Sequence, residues 1–268
     1  MINLLTIEWL KLKNYKGFWI LTGLYYVSLL FVCTGVMGFL YWLETKGANF
    51  QGITPTIIPF YEFPDIWHNL TYLASFIKIF LAFLVIISIT NEYSYRTIRQ
   101  NIIDGMDKKG FLFSKISLIA TFSVVNTLFI AVVGLIMGLI FSTVHDLGSI
   151  LYYAEFLLAH ALELFTFLMF AFLIGLLVKK AGFAIVLIGL YSLIIEPIIS
   201  VAWTDAIGTA VVPFLPITAM NHLIRVPFQR YIFMEIQDYI AWKDLLIVIG
   251  WAITFTYLSY LTLKKRDL

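Results

Sequence analysis

Six apolar runs, each long enough to cross a bilayer, decide what this 268-residue chain can become. They lie at about 18–43, 70–90, 111–141, 151–178, 183–203 and 245–263. A run of about 20 apolar residues spans the hydrocarbon core as a helix. In lipid every backbone polar group must be satisfied within the protein, so only helices and closed barrels cross. Barrel strands are about ten residues long and alternate apolar with polar, whereas these runs are long and unbroken. The expected fold is an all-α integral membrane protein with six transmembrane helices. Charged residues are 13% of the chain, about half of the ~25% usual in soluble domains. A single transmembrane domain over 1–268 is therefore expected. The runs at 111–141 and 151–178 exceed the need of a perpendicular helix and predict tilt or protrusion. Cys33, the one cysteine, lies inside a run and reads as a small core hydrophobe.

Basic residues set the orientation. Lys11, Lys13, Lys16, Arg96, Arg99, Lys108, Lys109, Lys115, Lys179, Lys180, Lys264, Lys265 and Arg266 fall on one side of the bundle. Only Lys46, Arg225, Arg230 and Lys243 fall on the other. The bias puts both termini, and the charged stretch 91–115, in the cytoplasm. The first run is too long for a signal-peptide core, and no small-residue cleavage site follows it. It reads as a retained first span.

The segments between the runs carry the chemistry. Residues 1–16 read as an amphipathic interfacial helix, with Leu4, Leu5, Trp9 and Leu12 apolar and Glu8, Lys11 and Lys13 polar. Residues 91–106 read as a second, cytoplasmic helix between spans 2 and 3. Tyr95, Ile98, Ile102, Ile103 and Met106 recur at helical spacing, Glu92 and Arg96 stand at i, i+4, and Asp104-Gly105 supplies the stop. Arg99 falls inside the apolar stripe, where it can reach lipid phosphate or a partner. The glycine spacing of Gly105 to Gly110 is that of a phosphate loop, but Phe111-Leu112 stands where Lys-Ser/Thr is needed. The chain is expected to hydrolyse no nucleotide. Residues 204–244 are too apolar for a free loop and predict a re-entrant external segment between spans 5 and 6. Glu196-Pro197 interrupts the fifth span, and Gly134 and Gly138 permit close approach in the third.

Ionisable residues inside membrane spans are candidates for function. Here they are Lys78, Glu155, His160, Glu163 and Glu196. A lone buried charge is costly, so Lys78 is expected to pair with Glu196 or Glu163. His160 and Glu163 share one helix face, but a metal site needs further ligands, and no second motif supplies them. Neither a metal site nor a catalytic set is assigned.

The layout resembles the six-span permease subunits of ABC exporters of the ABC-2 type. An amphipathic first helix, a charged helix after span 2 and a re-entrant segment before span 6 carry the resemblance. So does the local sequence Glu92-Tyr-Ser-Tyr95-Arg96-Thr97-Ile-Arg99-Gln100 with Asp104-Gly105. Arg96 replaces the family's usual small residue before the threonine. Met106-Asp107-Lys108 replaces a proline common later in that loop. The resemblance implies a homodimer of permeases, each engaging one of two ABC ATPase subunits that bind ATP and Mg on a separate chain. It implies that Glu92, Tyr95, Arg96, Thr97, Arg99, Gln100, Asp104 and Gly105 couple to that ATPase. It also implies residence in a bacterial cytoplasmic membrane, contact with lipid, no nucleic-acid partner and no cofactor in this chain. Two other readings remain at this level. One is a polytopic membrane enzyme using Glu155, His160, Glu163 and Glu196; the other is a non-transporting assembly protein whose basic loop binds anionic lipid.

Overall fold

A computed structural model describes residues 2–48, 54, 56, 58–103, 105–227 and 239–265. These form helices, with no strand among the described residues. In chain order they are α1 (Ile2–Lys13), α2 (Lys16–Thr45), α3 (Ile66–Ser94), α4 (Thr97–Ile103), α5 (Lys108–Phe141), α6 (Leu147–Leu151) and α7 (Glu155–Val178). Then follow α8 (Ala181–Leu190), α9 (Glu196–Ile207), α10 (Pro216–Leu223) and α11 (Trp242–Lys264). Among the described residues six helical units are long and apolar enough to cross a membrane: α2, α3, α5, α6 with α7, α8 with α9, and α11. They match the six runs. The helices take in polar flanks that hydropathy alone leaves out, as where α3 starts at Ile66 and runs on through Glu92.

The core is the α3–α7 pair, with α5 and α11 against α7 and α2 against α3 and α5. Of the apolar windows, 67% of the α6–α7 unit and 56% of α3 are buried, against 17% for α2 and for α8–α9. The outer helices turn Ile20, Phe31, Phe183, Leu193 and Ile253 outward. Lipid tails are as apolar as these side chains, so the exposure costs nothing in a bilayer. At Gly175 on α7 an added Cβ would run into Ile89 of α3 and stand 3.6 Å from the Ile86 Cα. This glycine lets the two central helices touch. Gly134 and Gly138 serve differently from expectation: they seat the rings of Trp67 and Phe63 rather than a second helix backbone.

Three local features shape the two ends of the bundle. The fifth span is interrupted by a π-helical turn at Tyr191–Ile195, just before Glu196-Pro197. Pro197 has no N–H to donate and its ring crowds the preceding turn; the wider π turn accommodates this without ending the helix. Asp107 caps α5, its side chain accepting from the Gly110 N–H at 2.9 Å, and Asp146 caps α6 through the Ser149 N–H at 2.9 Å. Beyond α9 the chain turns at Gly208 (φ 88°), passes a short 3₁₀ turn at Val212–Phe214, and lays α10 against α7, α9 and α11. Ile217, Ala219, Met220 and Leu223 of α10 are buried.

The expected continuous helix over 91–106 is corrected. α3 continues to Ser94, the chain turns at Tyr95–Arg96 with Arg96 in the left-handed region (φ 56°), and α4 starts afresh at Thr97. Such a conformation ends a helix because it breaks the run of i→i−4 bonds. Asp104, and Arg230 and Arg266 of the charge pattern, lie outside the described residues.

Candidate functional site

The short α4 helix stands at the end of the bundle where α1 meets α3 and α5. Ile98 is its anchor, 2% exposed and packed in the main core. Thr97 is half-buried at its start, and its hydroxyl donates to the Glu92 carboxylate. The remaining face points away from the protein: Tyr95 is 73% exposed and Ile103 70%, with Arg96, Arg99 and Gln100 exposed between them. Gly105 closes the segment with φ 95°, a conformation open to glycine and strained for most other residues. Of the expected coupling residues, Tyr95, Arg96, Arg99, Gln100 and Gly105 therefore share a surface.

Glu92 does not share it. It is 4% exposed and held from three sides. Lys11 donates to Glu92 Oε1 at 2.8 Å, Lys115 donates to the same oxygen at 2.9 Å, and Thr97 takes the other oxygen. Lys115 also donates to Glu8 at 2.6 Å, and the Ser114 hydroxyl lies 3.3 Å from Glu8. The expected Glu92–Arg96 pair is thus replaced by a cluster of two carboxylates and two ammonium groups from α1, α3 and α5. Lys115 and Glu8 are each about 2% exposed. Buried charges persist when paired and hydrogen-bonded, and this set is neutral as a whole. It also corrects the expected faces of α1. That helix turns Glu8 and Leu12 inward and leaves Ile7, Trp9 and Leu10 exposed, because Glu8 finds a cation inside. Lys11 and Lys115 as partners of Glu92, and Glu8 as the second carboxylate of the cluster, are not marked by the sequence pattern. The only sequence signal was the presence of unlike charges at the ends of neighbouring apolar runs.

A second polar chain lies within the spans. Lys78 of α3 pairs with Glu163 of α7, so of the two expected partners the structure selects Glu163. The Ser75 hydroxyl donates to the other Glu163 oxygen at 2.8 Å, and the Lys78 ammonium sits 5.1 Å from the Phe167 ring centre. His160, one turn before Glu163, places Nδ1 3.8 Å from that carboxylate. Its Nε2 is 3.2 Å from the Asn126 amide, whose oxygen accepts from the Tyr25 hydroxyl at 2.6 Å. Four helices, α2, α3, α5 and α7, are joined through groups that are almost wholly buried. The sequence pointed to Lys78, His160 and Glu163, but not to Tyr25, Ser75 or Asn126, whose side chains are common in membrane helices. Among the described residues no group of three potential metal-binding side chains comes together.

Glu196 takes a third role. It is 1% exposed, and its Oε1 accepts from the Thr218 N–H at 2.6 Å and the Thr218 hydroxyl at 3.0 Å. Thr218 lies in the first turn of α10, so a carboxylate from the fifth span satisfies an orphan donor at that helix end. Glu196→Ala is expected to loosen α10 and destabilise the protein by about 1 kcal/mol, the scale of a lost cap. Glu196→Gln, which keeps an acceptor oxygen, should lose less. Thermal unfolding of the two variants in detergent checks the order. Nearby, Arg225 pairs with Asp244 at 3.2 Å and its carbonyl meets His68 Nε2 at 2.8 Å. Burial, together with the neighbouring Arg225 guanidinium, holds the His222 imidazole below its usual pKa.

A surface helix between the second and third spans is thus tied to the bundle by buried charges. Residues 4–195 match the family described as ABC-2 family transporter protein, and the chain belongs to that family. It is thus a multi-pass membrane permease of an ABC transporter, a transport subunit rather than an enzyme. No curated protein matches it.

Proposed function

We propose that the chain is the membrane half of an ATP-driven exporter, working as a homodimer with two copies of a separate ATPase. Each ATPase would dock on the face formed by Tyr95, Arg96, Arg99, Gln100 and Ile103. The observation that carries this reading is the character of α4. Among the described side chains Ile98 roots it in the core, while an aromatic, two cations and an isoleucine stand exposed at this segment. A loop that served solvent alone would not hold an isoleucine at 70% exposure beside a tyrosine at 73%. Apolar anchors rimmed by charge are the usual make-up of a docking helix.

Movement of α4 would reach the spans through Thr97, then Glu92, then Lys11 and Lys115. The first contact pulls on α3, the second on α1 and the third on α5. The bias of basic residues supports placing this end, and both termini, in the cytoplasm. There α1 would lie along the headgroups, with Trp9 and Trp19 packed edge to face at 5.9 Å at the interface. Outward transport follows from the likeness to exporters.

The test is capture. Tyr95→Ala/Arg99→Glu should cut co-purification of the cognate ATPase more than tenfold while leaving the thermal midpoint of the isolated permease within about 2 °C of wild type. Full capture by the double variant would refute the docking face. The mass of the assembled complex, measured by native mass spectrometry, decides the proposed pairing of two permeases with two ATPases.

A further inference from the structure

A groove of about 490 Å³ opens on the outside of the bundle between α5, α7 and α11. Leu112, Phe165 and Ala252 line its inner part, and Ile253, Thr256, Tyr257 and Tyr260 follow α11 along its side. Ile253 and Tyr257 are 64% and 58% exposed, so the groove opens laterally, toward where the hydrocarbon lies. Its volume is within the range of about 300–1,000 Å³ typical of ligand sites. From Ala252 to Tyr260 it runs about 12 Å along the helix, at 1.5 Å per residue.

One end of the groove is charged. Lys109 borders it directly. Lys264 and Lys265, both exposed, stand at the adjoining end of α11. The Lys108 ammonium donates to the Lys264 carbonyl at 3.3 Å and ties the two helix ends together. Among the described residues Asp107, which caps the Gly110 N–H, sets one negative charge against the four of Lys108, Lys109, Lys264 and Lys265, while Glu8 and Glu92 are bound to Lys115. The result is an apolar slot with a net positive rim.

We propose that this groove seats an anionic phospholipid of the cytoplasmic leaflet, one acyl chain along α11 and the phosphate at Lys109 with Lys264 and Lys265. Basic residues between spans at the cytoplasmic face recognise acidic headgroups. An apolar slot without the lysines would take any lipid; a basic rim without the slot would bind only loosely. The leaflet assignment rests on the orientation proposed above, but the binding does not, and the test uses no ATPase.

The experiment is native mass spectrometry of the full chain, released from detergent micelles supplemented in turn with phosphatidylglycerol and phosphatidylcholine. Wild type should retain phosphatidylglycerol in preference. Lys109→Gln should weaken retention about fivefold, as expected for one surface charge worth about 1 kcal/mol. Ile253→Trp should abolish it by filling the slot; because Ile253 faces outward, folding does not depend on it, and an unchanged thermal midpoint confirms that. Equal retention of both lipids, or retention undiminished in Ile253→Trp, overturns the proposal.

Discussion

Lys115→Met is expected to destabilise the protein more than any other single change at its basic end. The substitution removes a cation that is 2% exposed and leaves Glu8 and Glu92 facing each other, with Lys11 alone to balance them. Breaking a buried pair from one side costs about 3–5 kcal/mol. In a chain of this size that corresponds to a fall in thermal midpoint of roughly 10 °C, read by intrinsic fluorescence in detergent. The triple variant Glu8→Gln/Glu92→Gln/Lys115→Met should recover most of the loss, because the one charge left, Lys11, is about one-third exposed and can turn its ammonium to solvent. A Lys115→Met protein that melts with wild type would show that the cluster does not hold α1, α3 and α5 together. Transport by the triple variant answers a separate question. If these charges carry motion from α4, a stable cluster stripped of its ion pairs should transport poorly.

Lys78→Met is expected to be comparably severe, for the same reason at greater depth. Glu163 is 1% exposed and would be left with Ser75 and His160 in place of a full counter-charge. Such a carboxylate either stays ionised at high cost or takes up a proton. A loss of about 3–5 kcal/mol is again the expected scale. Lys78→Met/Glu163→Gln should restore stability, and the four proteins form a double-mutant cycle that isolates the pair. Additive losses in that cycle would mean the two side chains do not act together. Restored stability without restored transport would assign the pair a role on the substrate path beyond holding helices together.

The spans could be read in the sequence because lipid imposes a length and a composition that few other environments share. Long-range pairing could not. Lys115 and Glu8 are 107 residues apart, and nothing local to either announces the other. Lys78 had two possible partners at similar depth. The packing of α3 directly on α7 gives it to Glu163, while α9, the outer half of the fifth span, packs on α10 and sends Glu196 there. The helix expected over 91–106 failed at Arg96. Left-handed backbone is the habit of glycine and, less often, asparagine, so an arginine there gives no warning. The apolar spacing of that stretch was real, yet the corner separates it. Ile98 faces the core while Tyr95 and Ile103 face out.

The π turn at Tyr191–Ile195 lodges one surplus residue in the fifth span. An α-helix advances about 100° per residue, so this surplus sets the angular phase of every side chain that follows. It is what aims Glu196 at Thr218 instead of at the acyl chains. Shortening the turn by a single residue would swing the whole outer segment round by that angle, carrying a carboxylate into oil and stripping α10 of its tether.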